Sequence, residues 1–406
     1  MQIRYGLLFL CVAVIAAPFT GVSIVWFFSI SDIFLVLAVG TFLKSMYERS
    51  EIRVPHDVAI ALVAGVLLFV IEVLSVPNSV VEPKAAAWAR TRLGNVLVFA
   101  AVVFIAQSRE DIHLLLRVLT VSLLGVSLLT ILHSMGLVGF GDFVNDPRNV
   151  LGYRIPFSRT LGVPMDYGNF GMYMCLGIST LVYESRQSGN RLALAALPVF
   201  MLAVFISQSR STWTAVAAVL AVIAIYDVVQ YWNRRGISVK PIIGVLVPIV
   251  IVGTIVFVRI MIQINPLTLR SRIKAYVNGL QIYSQHPLTG IGRATYYFEY
   301  GLTVIHNGFL SVLISFGPFA LIMLLIVYVL AFRNGVRAVV AGKDPFFWVT
   351  IFAAFIGMTV ELMLFDGSYT KILWLTMAIL CVSSVLVGDG EAVRLIDVRR
   401  SDTIPS

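Results

Sequence analysis

Long, unbroken apolar runs limit this chain more than any other feature. Stretches such as 57–76, 112–135, 211–231 and 306–332 continue for about twenty residues with few charges, which is the length needed to cross a bilayer as a helix. In lipid every backbone N–H and C=O must find its partner inside the protein, so runs of this kind are stable only as helices. They lack the apolar–polar alternation of a membrane β-barrel. Composition agrees. The 406 residues are 59% hydrophobic and 13% charged, with mean hydropathy +0.92, whereas a soluble domain carries roughly 25% charged residues.

Hydropathy predicts about twelve spans, near 5–20, 26–43, 57–76, 93–107, 112–135, 162–183, 192–206, 211–231, 241–261, 306–332, 346–364 and 370–387. The expected fold class is an all-α polytopic membrane protein. It has one transmembrane domain over 1–387, a large outer loop over 262–305 before the tenth span, and a cytoplasmic tail over 388–406. The first apolar run passes through Pro18 and Phe19 without a small-residue cleavage site, so it reads as a span and not as a signal peptide. Cys11, Cys175 and Cys381 lie far apart in apolar runs and read as small core side chains, and no Cys or His cluster suggests a metal.

Lys and Arg in short loops set the orientation. With the N-terminus in the cytoplasm, every inner loop carries a cation, among them Lys44, Arg109, Arg186, Arg234, Arg333 and Arg394. The outer face still holds Arg148, Arg154, Arg159, Arg210, Arg259, Arg270, Arg272, Lys274 and Arg293. Cations there oppose the insertion bias, and outer acids are few (Asp142, Asp146, Asp166, Glu299, Asp366). An anionic ligand at the outer surface is the favoured explanation, against pairing with lipid phosphates or local acids.

Four polar stretches fall on that face. Arg159, in Ser158-Arg159-Thr160, reads as a phosphate clamp at a helix entrance or as a snorkelling interfacial arginine. Arg210 lies in the turn Ser207-Gln208-Ser209-Arg210-Ser211-Thr212 and could grip a phosphate bidentately or cap the preceding helix. Arg270, Arg272 and Lys274 open the stretch 271–285, whose Ile273, Tyr276, Val277, Leu280 and Tyr283 recur at helical spacing. A helix lying on the membrane surface is predicted there, with its cationic N-terminus suited to a phosphate. It ends at His286-Pro287, and Gly290 and Gly292 then predict a tight turn. Finally, His306-Asn307-Gly308-Phe309-Leu310 opens the tenth span, followed by Ser315-Phe316-Gly317. A histidine kept neutral beside a helix N-terminus can serve as a general base, or it can simply cap the helix.

In this order, the Ser-Gln-Ser-Arg turn, the Arg-rich outer loop ending in Pro-Leu-x-Gly-Ile-Gly, and His-Asn-x-Phe-Leu with Ser-Phe-Gly resemble the O-antigen ligase and O-antigen polymerase superfamily of bacterial envelope glycan enzymes, most clearly from about Arg159 to Leu330. The resemblance implies a GT-C-like, metal-independent glycosyltransferase of the inner membrane that needs no cofactor. Its donor would be an undecaprenyl pyrophosphate-linked glycan at the periplasmic face. Its acceptor would be a sugar hydroxyl of lipid A core in a ligase, or a second lipid-linked glycan in a polymerase. His306 matches the family's acceptor-activating histidine; Arg210 and either Arg272 or Arg270 match its pyrophosphate-binding arginines, with Arg159 a looser match. Asn307 and Lys274 are candidate supporting residues. Glu72 or Glu361 could line a groove for the carrier's apolar tail, or pair with buried cations. A transporter of the same lipid-linked glycan is the competing reading; it would place its ionisable groups near the bilayer midplane. Nothing suggests nucleic acid, since the +9 charge divides between inner loops and the outer cluster.

Overall fold

The apolar runs fold as a bundle of long helices in a computed structural model. It describes residues 2–19, 23–25, 28–47, 54–79, 82–106, 108–138, 149–150, 153–154, 167–187, 189–235, 266–293, 295 and 305–387. The helices are α1 (Gln2–Ala16), α2 (Ile30–Tyr47), α3 (His56–Leu74), α4 (Glu82–Ile105), α5 (Arg109–Ser134), α6 (Tyr167–Gln187), α7 (Arg191–Ile206), α8 (Arg210–Arg234), α9 (Pro266–Tyr283), α10 (Gly308–Ala341), α11 (Pro345–Leu364) and α12 (Lys371–Leu386). Two small antiparallel ribbons, Ser23–Val25 with Phe28–Ser29 and Asn149–Val150 with Tyr153–Arg154, are the strands among the described residues. Among those residues six helices (α3, α4, α5, α8, α10 and α11) are long and apolar enough to cross a membrane, and four shorter apolar helices accompany them. The chain is a multi-pass membrane protein. The predicted ninth span, 241–261, lies outside the described residues.

Polar residues cap the starts of several helices. Ser108 and Asp111 form a capping box on α5: Asp111 N–H donates to Ser108 Oγ at 3.1 Å and Ser108 N–H to the Asp111 carboxylate at 3.0 Å. Asp344 caps α11 ahead of Pro345, where a missing N–H costs nothing. The fourth helix begins well before the predicted 93–107, at Glu82. Hydropathy discounts Arg92 and Asn95, yet both are fully buried against protein, so this polar first half packs among neighbours instead of ending the helix.

The core lies where α11 packs against α6 and α8, and where α10 packs against α3 and α12. Trp348, Trp374, Phe99, Phe170, Phe200 and Phe355 fill it. At the bundle end formed by the starts of α3, α5 and α11 and the close of α6, charges are neutralised locally: Arg109 pairs with Asp344, Arg333 with Asp57, and Arg117 with Glu184.

α10 is broken one third of the way along. Gly317 has φ 82° and ψ 179°, backbone space open essentially to glycine alone, and Pro318 has no N–H to give. The carbonyls released by this break are taken up by the segment that follows α9. Ile291 N–H donates to Ile314 O at 3.0 Å and Gly292 N–H to Ser315 O at 2.9 Å. Gly290 and Gly292 hold φ 68° and 73°, and a Cβ at Gly290 would stand 2.5 Å from the backbone of Ser315 and Phe316. The Pro-Leu-Thr-Gly-Ile-Gly and Ser-Phe-Gly stretches are therefore two halves of one backbone contact. A Cβ at Gly317 would lie 2.1 Å from Leu288 O. Gly317→Ala is expected to destabilise the protein by about 1–3 kcal/mol from backbone strain, with the clash adding to that. Thermal unfolding in detergent measures the loss.

Candidate active site

The break in α10 leaves a short upper segment, 308–316, and His306 stands two residues ahead of it. Asn307 fixes that start: its side-chain oxygen accepts from Leu310 N–H at 2.9 Å, and its Nδ2 donates to Met363 O at 3.4 Å. Asn307 thus works as a helix cap that also ties α10 to the end of α11. From the other side, the Tyr276 hydroxyl of α9 donates to His306 O at 2.8 Å. The imidazole is half-buried near the Phe365 ring, centroids 6.3 Å apart, and its Nδ1 has no hydrogen-bond partner among the described residues. Burial pushes His306 down to about 4; the Arg272 guanidinium pushes the same way, and the Asp366 carboxylate partly opposes them. The ring is therefore neutral near pH 7, the state a proton acceptor requires.

Arg272 projects from the inward face of α9, half-buried, with a buried Nε that has no partner among the described residues. Its charge reaches His306, Tyr276 and Glu361. Arg270 and Lys274, on the same helix, are exposed on the outward face. The two arginines left open by sequence therefore point in different directions, and Arg272 is the one beside His306. Arg159 lies outside the described residues.

The polar turn between α7 and α8 arrives from a third direction. Ser207, Gln208 and Ser209 are buried, Gln208 with φ 49°. Ser209 caps α8 by accepting from Thr212 N–H at 3.4 Å, which places Arg210 at the first helical position, half-buried. Ser211 stands beside the Glu361 carboxylate, although neither carboxylate oxygen has a hydrogen bond of good geometry among the described residues. Glu361 is fully buried in the last turn of α11. Gly171 of α6 makes the approach possible, because a Cβ there would lie 2.6 Å from Thr212 Oγ1 and 2.9 Å from Glu361 Oε2. His306, Arg272, Glu361 and the turn before α8 thus gather at one end of the bundle.

Sequence reasoning did not pick out the ion network next to them. Asp366, just past α11, accepts from Arg293 Nη2 at 2.7 Å, Ser311 Oγ at 2.8 Å and Ser368 Oγ at 3.2 Å. Arg293 lies over the Tyr369 and Trp88 rings at 4.0 and 4.9 Å. For Arg293 a local acid supplies the compensation for which an external anion was expected. Glu72 is likewise a structural partner: its Oε1 accepts from Arg92 Nε at 2.7 Å, both side chains fully buried. Arg92 Nη1 donates to Ser368 O at 2.7 Å, and its guanidinium lies 4.2 Å from the Tyr369 ring centre. Residues 366–369 are therefore held from both sides by arginines. The signal available beforehand was a set of scattered Arg and acid residues in apolar surroundings, with nothing to say which pairs meet.

A protein-family model described as O-antigen ligase matches residues 193–325. The matched stretch runs from α7 into α10 and takes in the turn before α8, all of α9 and His306. No curated protein matches the chain.

Proposed function

We propose, from the premise that this multi-pass protein is a member of the O-antigen ligase and polymerase superfamily, that it transfers a glycan from undecaprenyl pyrophosphate to a sugar hydroxyl at the periplasmic face of a bacterial inner membrane. Both termini are cytoplasmic in this reading, and the acceptor is lipid A core. The observation that carries it is the pairing of a neutral, half-buried His306 with an inward-facing Arg272.

The chemistry balances without further groups. A ring nitrogen of neutral His306 takes the proton of the acceptor hydroxyl. The hydroxyl oxygen forms a bond to the anomeric carbon from the side opposite the leaving group. The bond from that carbon to pyrophosphate breaks, and its electron pair leaves with the phosphate oxygen, so the anomeric centre inverts. Arg272 and Arg210 stabilise the growing charge, in surroundings where a guanidinium counts for more than in water. Arg272 also keeps His306 unprotonated until the acceptor arrives. Arg270 and Lys274, facing outward, take no part in this step.

The test is transfer in proteoliposomes from an undecaprenyl pyrophosphate glycan, in EDTA, with lipid A core or a second lipid-linked glycan as acceptor. Product on lipid A core supports the ligase. Lengthened lipid-linked glycan makes the protein a polymerase with the same base and clamp. Labelled lipid crossing the bilayer with neither product overturns the enzyme reading in favour of transport. Arg272→Gln is expected to lower kcat about 10²–10³-fold, the usual cost of removing one preorganised charge-stabilising donor, while Arg270→Gln leaves kcat close to wild type.

A further inference from the structure

α9 has a face that the proposed reaction does not use. With about 100° between successive residues, Leu280, Ile273 and Val277 fall in a roughly 60° arc, and Arg270, Gln281 and Lys274 in the adjoining arc. All six are exposed, the three apolar ones at 43%, 49% and 49%. The opposite side carries Ala275 and Gly279, both buried, with Tyr276 and Arg272 beside them. A helix in water has no use for an exposed apolar stripe, and one packed between helices has no use for an exposed cationic one. A stripe of each, side by side, suits the boundary between lipid headgroups and acyl chains.

The level of α9 agrees. The segment that follows it docks on the break in α10, where Leu288 O stands against Gly317. Leu288 is itself 65% exposed. Two residues below that contact α10 begins an exposed apolar row of Phe319, Ile322, Leu325 and Val329. In a membrane-crossing helix such a row faces acyl chains, so the end of α9 meets the upper edge of the lipid-facing surface.

We infer that α9 is an interfacial anchor, its Leu280–Ile273–Val277 stripe set among the outer ends of the acyl chains and Arg270 and Lys274 among the phosphates of anionic phospholipids. The partner is the bilayer surface itself. Because Arg272 projects from the reverse of the helix and Tyr276 holds the His306 carbonyl, the anchor also sets the depth of both groups relative to the lipid phosphates. The inference does not depend on which reaction occurs.

A nitroxide spin label placed singly at 273, 277 or 280, and at 274 as the contrasting site, tests it in proteoliposomes containing anionic phospholipid. The three native cysteines, all buried, are first replaced by alanine. Collision with oxygen, which concentrates in acyl chains, should exceed collision with a water-soluble nickel chelate at 273, 277 and 280, and the order should reverse at 274. Free collision with the chelate at 277 would place the face in water and overturn the inference. Protection of 277 from both reagents would mean that protein covers it, and would overturn it equally. Arg270→Gln with Lys274→Gln should lower the oxygen-to-chelate ratio at 277 several-fold in anionic liposomes and leave it unchanged in zwitterionic ones. An unchanged ratio in both would remove the phosphate contact from the proposal. The labelled and substituted positions are exposed, so each variant should unfold thermally like the cysteine-free parent.

Discussion

His306→Ala is expected to lose about two to four orders of magnitude in kcat, the usual contribution of a positioned general base, while the KM for donor changes little. The ring contributes no positive charge to bind pyrophosphate, because burial and Arg272 keep it unprotonated. The same environment sets the pH profile. In the proposed reaction the active form is the neutral imidazole, and its titration lies near 4 instead of the ordinary value of about 6.5. The kcat/KM for acceptor should therefore stay level from pH 8 down through 6 and fall only as the pH approaches about 4. Stability follows the same sign. A histidine with a depressed folded value favours the fold above its unfolded value, and that contribution is lost as the pH drops. An activity midpoint near 6.5 would mean that the ring is solvated and that Arg272 does not act on it. Arg272→Gln should move the midpoint upward as well as slowing the reaction, and that shift separates its electrostatic effect on His306 from its proposed grip on the leaving group.

Arg92→Ala is expected to destabilise the protein by about 3–5 kcal/mol, the cost of stranding one member of a buried ion pair. Glu72 would then keep a carboxylate in the bundle interior without its guanidinium, and the Ser368 carbonyl would lose a 2.7 Å donor. Arg92→Met combined with Glu72→Gln removes both charges and should regain most of the loss, because the penalty comes from the uncompensated charge and not from the missing bond. Denaturation in detergent micelles, followed by intrinsic fluorescence, measures both. If Arg92→Ala unfolds like wild type, the pair is hydrated and the assigned burial is wrong. The single variant should also be less active at permissive temperature, since the turn it supports carries Asp366, whose charge reaches His306.

The helices were legible because an apolar run of that length leaves the backbone one solution in lipid. Their ends were less so: α4 starts at Glu82 because Arg92 and Asn95 are buried against protein, a fact that resides in α3 and α12 and not in the local sequence. The site divides the same way. His306, Arg210 and Arg272 stood out as polar groups in apolar surroundings. Choosing between Arg272 and Arg270 needed only helical geometry, since two residues on one helix differ by about 200° in direction, plus knowledge of which face is covered. The roles of Asp366 and Glu361 were not legible, because each depends on which of several distant helices brings its partner. The glycines at 290 and 292 announced a turn, but its purpose lay about 25 residues downstream, in carbonyls released by a proline.

The ties that close the site join residues far apart in the order of translation. Arg92 reaches Ser368 across 276 positions, Arg293 reaches Asp366 across 73, and Gly171 leaves room for Glu361. Contacts of such long sequence separation form last. A ribosome-bound chain that has not yet released α11 and α12 holds the histidine and the arginines but lacks the acids and carbonyls that set them in place. The protein therefore assembles this end only once nearly all of it has been inserted, and an incompletely synthesised copy lacks the contacts that order it.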